Sequence, residues 1–319
     1  MGGGRFAGFA LGNDHSVTRP DVVDLREKTG ARSARGATGF VTRTLRWFVD
    51  ADGTSHVRAL AYESTLIVLS GFIGVIGLAS LLDAEWFRGV VAELGRAIAP
   101  GPAGRLVGEA AARGAQAGSS AAAFGLAAAF ATGTLAMAQV ERSANRIAGL
   151  DEDRPPVRRY VVAALLAATV GVLLGLGGLL LGAGRAIASG VGWADEAETV
   201  WAIARWPIGF TVAGFAVFIL FRIAPHRQIG PPRAILAGSL VAVVMWAAFT
   251  GLLSLYFSIQ TSSAYGSLLS IVALLIWSML TSLALHLGLA TACELAAAQH
   301  RDRAGSRARG VVKAGTKSQ

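Results

Sequence analysis

Two ionisable residues stand inside stretches that are otherwise apolar. Glu63 lies in the run 60–82 and His286 in the run 268–291. A charge deep in hydrocarbon costs about 2.5 kcal/mol or more, so such a group faces a cavity, a partner or the interface. Each residue sits nearer the basic end of its run, which predicts similar depth and permits a pair. A carboxylate and an imidazole in one cavity would bind a proton or a cation. The plainer alternative has Glu63 snorkelling to the interface or pairing with Arg58. In that alternative His286, like Thr281 and Ser282, only holds helices together. A second constellation is polar and lies between two runs: Asn145, Arg146, Arg154, Arg158 and Arg159. Guanidinium forks suit phosphate oxygens, so these residues are candidates to contact anionic lipid head groups. Loop ordering and membrane topology are the plainer reading.

The residues that would make an enzyme are missing. The five histidines, His15, His56, His226, His286 and His300, are far apart in sequence. There is no His-x-x-x-His pair, P-loop lysine, Gly-x-Ser-x-Gly or dinucleotide fingerprint. Cys293 is the single cysteine, which rules out an intramolecular disulfide and argues against a cysteine-based zinc site. The expectation is therefore no catalytic residue, no metal and no cofactor, and a protein that is not an enzyme. A net charge of +9 would suit nucleic acid if it were gathered on one face. It is instead scattered over short loops, so nucleic acid is not an expected partner. Membrane lipids and an unidentified solute or amphiphile are.

The elements that must position these residues follow from composition. The 319 residues are 53% hydrophobic and only 15% charged, too little polar material to coat a soluble core of this size. Six apolar runs, 60–82, 119–140, 160–182, 206–222, 234–257 and 268–291, approach or exceed the roughly 20 residues that a helix needs to cross about 30 Å of hydrocarbon. Basic residues alternate between the connections. With Arg222 counted in the loop after it, nine, five, three and six fall on one side, against four, two and none on the other. The positive-inside rule then places both termini in the cytoplasm for six spans. The fold class is thus all-α: a polytopic integral membrane protein of about six transmembrane helices.

Residues 1–37 read as a disordered cytoplasmic tail with no removable signal peptide, and 298–319 as a basic disordered tail. Between them lies the membrane domain, 38–297. Within it, Val41, Leu45 and Phe48 recur at helical spacing, predicting a short helix over 40–50 that lies on the membrane surface or packs on the protein. Asp52-Gly53 predicts a turn, with Thr54 or Ser55 as cap. The connection 83–118 predicts an interfacial helix, a turn at Pro100-Gly101-Pro102 and a second short helix. Gly171-x-x-x-Gly175 and Gly178-x-x-x-Gly182 have the spacing that lets a neighbouring helix come close. Gly71, Gly74 and Gly77 are candidates for the same role.

The order of fragments in the second half is specific. Trp206-Pro207, Pro225-His226-Arg227, Pro232-Arg233, Gly238, Trp246, Tyr256, Tyr265-Gly266-Ser267-Leu268, Trp277 and Gly288 succeed one another. Upstream come Ala59-Leu60-Ala61-Tyr62, Asn145-Arg146, Asp151-Glu152-Asp153 and Arg154-Pro155. Over about 40–297 the chain resembles the YihY / virulence factor BrkB family. The resemblance implies an all-helical, multi-pass protein of the bacterial inner (plasma) membrane. It also implies a structural role for Tyr62, Pro155, Gly238, Trp246, Tyr265, Gly266, Trp277 and Gly288. It brings suggestions of solute or lipid-linked transport and a ribonuclease label widely regarded as mistaken. The function expected from it is a transporter or exporter of an unidentified solute or lipid-like amphiphile, the alternative being a non-transporting envelope scaffold. The chain departs from the family pattern in three places. The first span lacks a proline over 65–71, Glu63 replaces a neutral residue, and the acidic position expected near the end of the last span is read as Ala290.

Overall fold

Apolar segments of this length leave their backbone polar groups no water to bind, and helices satisfy those groups internally. The computed structural model describes residues 37–81, 102–150, 152–182, 195–259 and 266–315. All regular structure among them is helical. The helices are α1 Ala37–Asp50, α2 Gly53–Leu81, α3 Pro102–Ile147, α4 Pro156–Gly182, α5 Asp195–Ile223, α6 Pro232–Ile259 and α7 Gly266–Gly315. Contacts divide the chain into two units, Met1–Val41 and Thr42–Gln319, and the bundle belongs to the second.

Among the described residues, five helices contain stretches long and apolar enough to cross a bilayer: Ala122–Ile147, Pro156–Gly177, Thr199–Ile223, Pro232–Ile259 and Ser270–Gln299. They match the second to sixth expected runs. The first run lies on α2, which has 29 residues and no charged residue from 65 to 81; its last side chains are outside the described residues. Large aliphatic side chains such as Leu165, Val172, Leu240 and Leu252 are exposed. In water that surface would be an association hazard, whereas in lipid it is the required coat. The protein is a polytopic, all-helical membrane protein.

Several boundaries differ from the sequence expectation. Only α3 occupies 102–118, where a turn and a separate short helix were expected. Pro102 fits at its first position, where no N–H is needed, and the alanine-rich stretch after it holds no further proline to break the helix. The fourth span does not open at Pro207, because α5 begins at Asp195 and runs through that proline. The basic tail after 298 is helical to Gly315 rather than disordered, since Ala296, Ala297 and Ala298 carry the last span onward without a breaker. The N-terminal tail up to 36, all of 83–101 and Tyr265 lie outside the described residues.

The turn after α1 is made by Asp52, which has a positive φ of 53°. Its carbonyl accepts the N–H groups of Ser55 and His56, and Ser55 Oγ donates to its carboxylate at 3.0 Å. Asp52 therefore caps α2, in place of Thr54 or Ser55. In α1, Thr44 and Phe48 are buried whereas Leu45 and Val49 are exposed. The helix thus packs on the bundle with one face and keeps an apolar face outward, joining the two expected readings.

Two glycine crossings set the helix spacing. A Cβ on Gly74 would lie 2.5 Å from the backbone nitrogen of Leu126, and Gly125 meets Gly74 in return. Likewise a Cβ on Gly238 would lie 2.5 Å from the carbonyl oxygen of Gly288. These small-residue contacts draw α2 to α3 and α6 to α7. Gly171 and Gly175, by contrast, have nothing within 4 Å of where a Cβ would stand. Their spacing fits a helix contact, but their face of α4 points away from the bundle. In α4 it is Gly177 that approaches α5, at the Gly209 carbonyl. Gly77, Gly178 and Gly182 lie among residues whose side-chain environment is not described.

Candidate functional site

Polar side chains line the meeting of α2, α3 and α7. His286 is buried, and its Nδ1 stands 2.7 Å from the Ser282 carbonyl oxygen. A carbonyl only accepts, so Nδ1 carries the hydrogen and Nε2 bears the lone pair. The ring of His56 lies parallel to it, with centroids 6.5 Å apart and planes 7° apart. His56 Nδ1 in turn faces the side-chain amide of Gln139 on α3 at 3.0 Å. Deeper in the bundle Thr65 Oγ1 lies 3.0 Å from Ser278 Oγ and donates to the Ala61 carbonyl at 2.9 Å. His56 lies before the apolar run. Its imidazole is held below its ordinary value by burial; Asp52 opposes this shift, and Arg146 and Arg142 reinforce it.

The side-chain contacts fix the depths. His56 is level with His286, and Thr65 is level with Ser278. Glu63 is seven residues beyond His56, two turns or roughly 10 Å along α2. It therefore sits nearer the level of Thr281 than that of His286. The sequence expectation of a Glu63–His286 pair at one depth is not met: Glu63 Oε2 and His286 Nε2 are both buried without a hydrogen-bond partner. Glu63 and His56 nevertheless share one side of α2, the side on which His56 stacks with His286, because a spacing of seven returns to one helix face. Thr281 Oγ1 and Ser282 Oγ are likewise buried and unpartnered among the described residues. Arg58 is exposed and makes no ion pair with Glu63; the cation whose field reaches Glu63 is Arg142.

The polar loop cluster is largely consumed by the fold. Arg154 donates from Nη1 to the Ala224 carbonyl at 2.6 Å, and from Nη2 to those of Ile223 and Pro225 at 2.9 and 2.7 Å. These carbonyls close the C-terminus of α5, where a cation is favoured. The same guanidinium lies 3.0 Å from Glu141 Oε2, a carboxylate 2% exposed. Asn145 donates to Asp153 at 2.8 Å and accepts the backbone N–H of His226 at 2.8 Å. Gly149, with φ 69°, lets the Leu150 N–H return to the Asn145 carbonyl. Arg159 approaches Asp153 at 3.8 Å. Arg154 and Asn145 are therefore internal clamps and not free head-group ligands, while Arg146 and Arg158 remain exposed.

A third polar centre escaped the sequence reading. Glu294, 1% exposed, accepts from Arg43 Nε at 2.6 Å, Trp47 Nε1 at 2.9 Å and Arg301 Nη2 at 2.9 Å. It ties α1 to the last helix. The carboxylate missed at Ala290 is present one helical turn later. Its signal was available: Cys293-Glu294-Leu295 is an acidic residue within an alanine-rich run, with Arg301 on the same stripe at i+7.

The family positions also find places. Gly238 and Gly288 form the α6–α7 crossing. Trp277 Nε1 donates to Thr250 Oγ1 at 3.2 Å, and Trp246 meets Phe210 edge-on with centroids 6.5 Å apart. Tyr62 is exposed. Pro155 accepts the Arg159 N–H from the start of α4. Gly266 opens α7.

A family model described as virulence factor BrkB matches residues 44–311. Among curated proteins, a Bacillus subtilis (strain 168) protein described as ribonuclease-like, YfkH, is 29% identical over 171 residues. That stretch is 52% of this chain and 62% of the relative, so the match spans under two thirds of that protein. No solved structure matches.

Proposed function

We propose, for a chain that belongs to the virulence factor BrkB family, that it is a transporter or exporter of a solute or lipid-like amphiphile in the bacterial inner membrane. The observation carrying this reading is the set of buried, unpartnered polar groups between α2 and α7: Glu63 Oε2, Thr281 Oγ1, Ser282 Oγ and His286 Nε2. Buried polar atoms are nearly always hydrogen-bonded, and ionisable groups in a membrane bundle mark ion or substrate paths. Glu63 is the proton- or cation-binding group of the proposed site, and His286 Nε2 is a second acceptor about two turns nearer the basic end. Enzymatic chemistry is not part of the proposal. The ribonuclease-like description belongs to YfkH, of which the match covers under two thirds, and it is not carried over to this chain.

The test uses a strain lacking the protein, once a growth or envelope phenotype is defined. Glu63→Gln keeps size and hydrogen bonding but cannot ionise. It is expected to insert and express normally and to fail to restore the phenotype. Full restoration would overturn the coupling role. One observation favours the alternative of a non-transporting scaffold: the Gly74–Gly125 crossing leaves no room between α2 and α3, roughly 16 Å beyond Glu63 along the helix. Under that reading the Glu63→Gln strain grows like the wild type.

A further inference from the structure

Away from the α2–α7 site, α5 and α6 diverge enough to leave a groove of about 700 Å³. Its walls are almost wholly apolar: Phe210, Phe215 and Phe218 on α5, and Leu236, Leu240 and Val244 on α6. Phe215, Leu236, Leu240 and Val244 are each more than half exposed, so the groove opens sideways onto the surface that lipid covers. Charge is confined to one end. Arg233 lines the groove there, in the first turn of α6 directly after Pro232. It is exposed and has no hydrogen-bond or ion-pair partner among the described residues. Its neighbours are already engaged: Arg222 with Gln228 at 3.1 Å and Arg227 with Glu152 at 3.1 Å.

The dimensions match one leaflet. From Arg233 to Ala247, the last residue of the groove on α6, is fourteen residues or roughly 21 Å of helix. One leaflet contributes about 15 Å of hydrocarbon. A phosphate held by Arg233 at head-group level thus leaves groove enough for the acyl chain beneath it. An unfilled apolar cleft would forfeit the dispersion contacts that its walls can make.

We propose that the α5–α6 groove binds an anionic phospholipid of the bilayer, with one acyl chain between the helices and the phosphate on Arg233. The site holds whether or not the chain transports, and does not depend on Glu63. Gly214, on the groove wall, has nothing within 4 Å of where a Cβ would stand. A larger side chain there fills the groove without striking backbone.

The experiment is native mass spectrometry of the full-length protein in mild detergent, titrated with phosphatidylglycerol and separately with phosphatidylcholine of the same chains. Wild type is expected to bind the first phosphatidylglycerol about fivefold more tightly, the size of one surface arginine's contribution. Arg233→Gln should abolish that preference and keep phosphatidylcholine binding. Gly214→Leu should lose the tight first lipid of either kind, with wild-type thermal unfolding in detergent as the folding control. Leu240→Trp, on the opposite wall, should do the same should Gly214→Leu fold poorly. Equal affinity for the two lipids in wild type, or an unchanged preference in Arg233→Gln, would overturn the proposal. So would an altered oligomeric mass in Gly214→Leu with lipid binding intact, which would assign the groove to a neighbouring helix.

Discussion

Among the described residues, Glu141 and Glu294 are buried and half-buried Glu63 has one buried oxygen, and the three are provided for differently. Glu141 and Glu294 sit at the basic end, each facing at least one guanidinium, and Glu294 accepts three hydrogen bonds. Glu63 sits deeper; its Oε2, like Glu141 Oε1, is buried without a partner, but Glu63 makes no ion pair among the described residues. A paired buried charge is a fixture, because removing one partner strands the other. An unpaired one makes no such clamp, which leaves it available to a ligand. The contrast therefore separates residues that hold the helices together from those available to bind something.

The largest expected effect lies on the fixed side. Arg154→Ala would leave Glu141 buried without its cation and release three carbonyls at the end of α5. The expected loss is about 3–5 kcal/mol of stability, read as a lower unfolding midpoint in a denaturing-detergent titration. A midpoint within error of wild type would mean that the Glu141–Arg154 pair is no clamp. Glu294→Gln comes next. It keeps a hydrogen-bond acceptor for Trp47 but removes the anion facing Arg43 and Arg301. Because those two side chains are 43% and 58% exposed, the expected cost is only about 1–2 kcal/mol. Faster proteolytic release of α1 should accompany it, and unchanged cleavage would detach Glu294 from the docking of that helix.

These same pairs mark the limit of what the sequence disclosed. Apolar runs and the alternation of basic residues gave the helical, multi-pass architecture, since both depend on composition over twenty residues. Side-chain partners depend on which helix face meets which neighbour, and spacing alone does not fix that. Gly171 and Gly175 have the spacing of a close crossing yet meet nothing, whereas Gly74 and Gly238 make the crossings. Arg154 read as a surface phosphate ligand because its partners are Glu141 and the end of α5, about seventy residues away. His56 reads in the sequence only as one of the scattered histidines, because it precedes the apolar run. Its spacing of seven from Glu63 was the available clue that both share one face of α2.

On the unpaired side the expected stability effects are small. Glu63→Gln breaks no hydrogen bond to its buried oxygen, so its unfolding midpoint should shift by no more than about 0.5 kcal/mol. A loss comparable to that of Arg154→Ala would move Glu63 into the class of fixtures and remove the basis for a binding role.

The smallest difference is also the most discriminating, because it compares two serines four residues apart on α7. Ser278 and Ser282 are both fully buried, in the same helix and of the same type. Ser278 Oγ is bonded to Thr65 on α2, while Ser282 Oγ has no partner. Ser278→Ala should cost about 0.5–1.5 kcal/mol, the net value of a lost hydrogen bond between helices. Ser282→Ala removes a buried hydroxyl that nothing satisfies, so its unfolding midpoint should stay level or rise slightly. If Ser282→Ala also abolishes function while Ser278→Ala only lowers the midpoint, the unpaired hydroxyl belongs to the ligand and the paired one to the fold. If both lower the midpoint equally, Ser282 has a partner in the membrane, and the distinction between the two kinds of buried polar group fails at this helix.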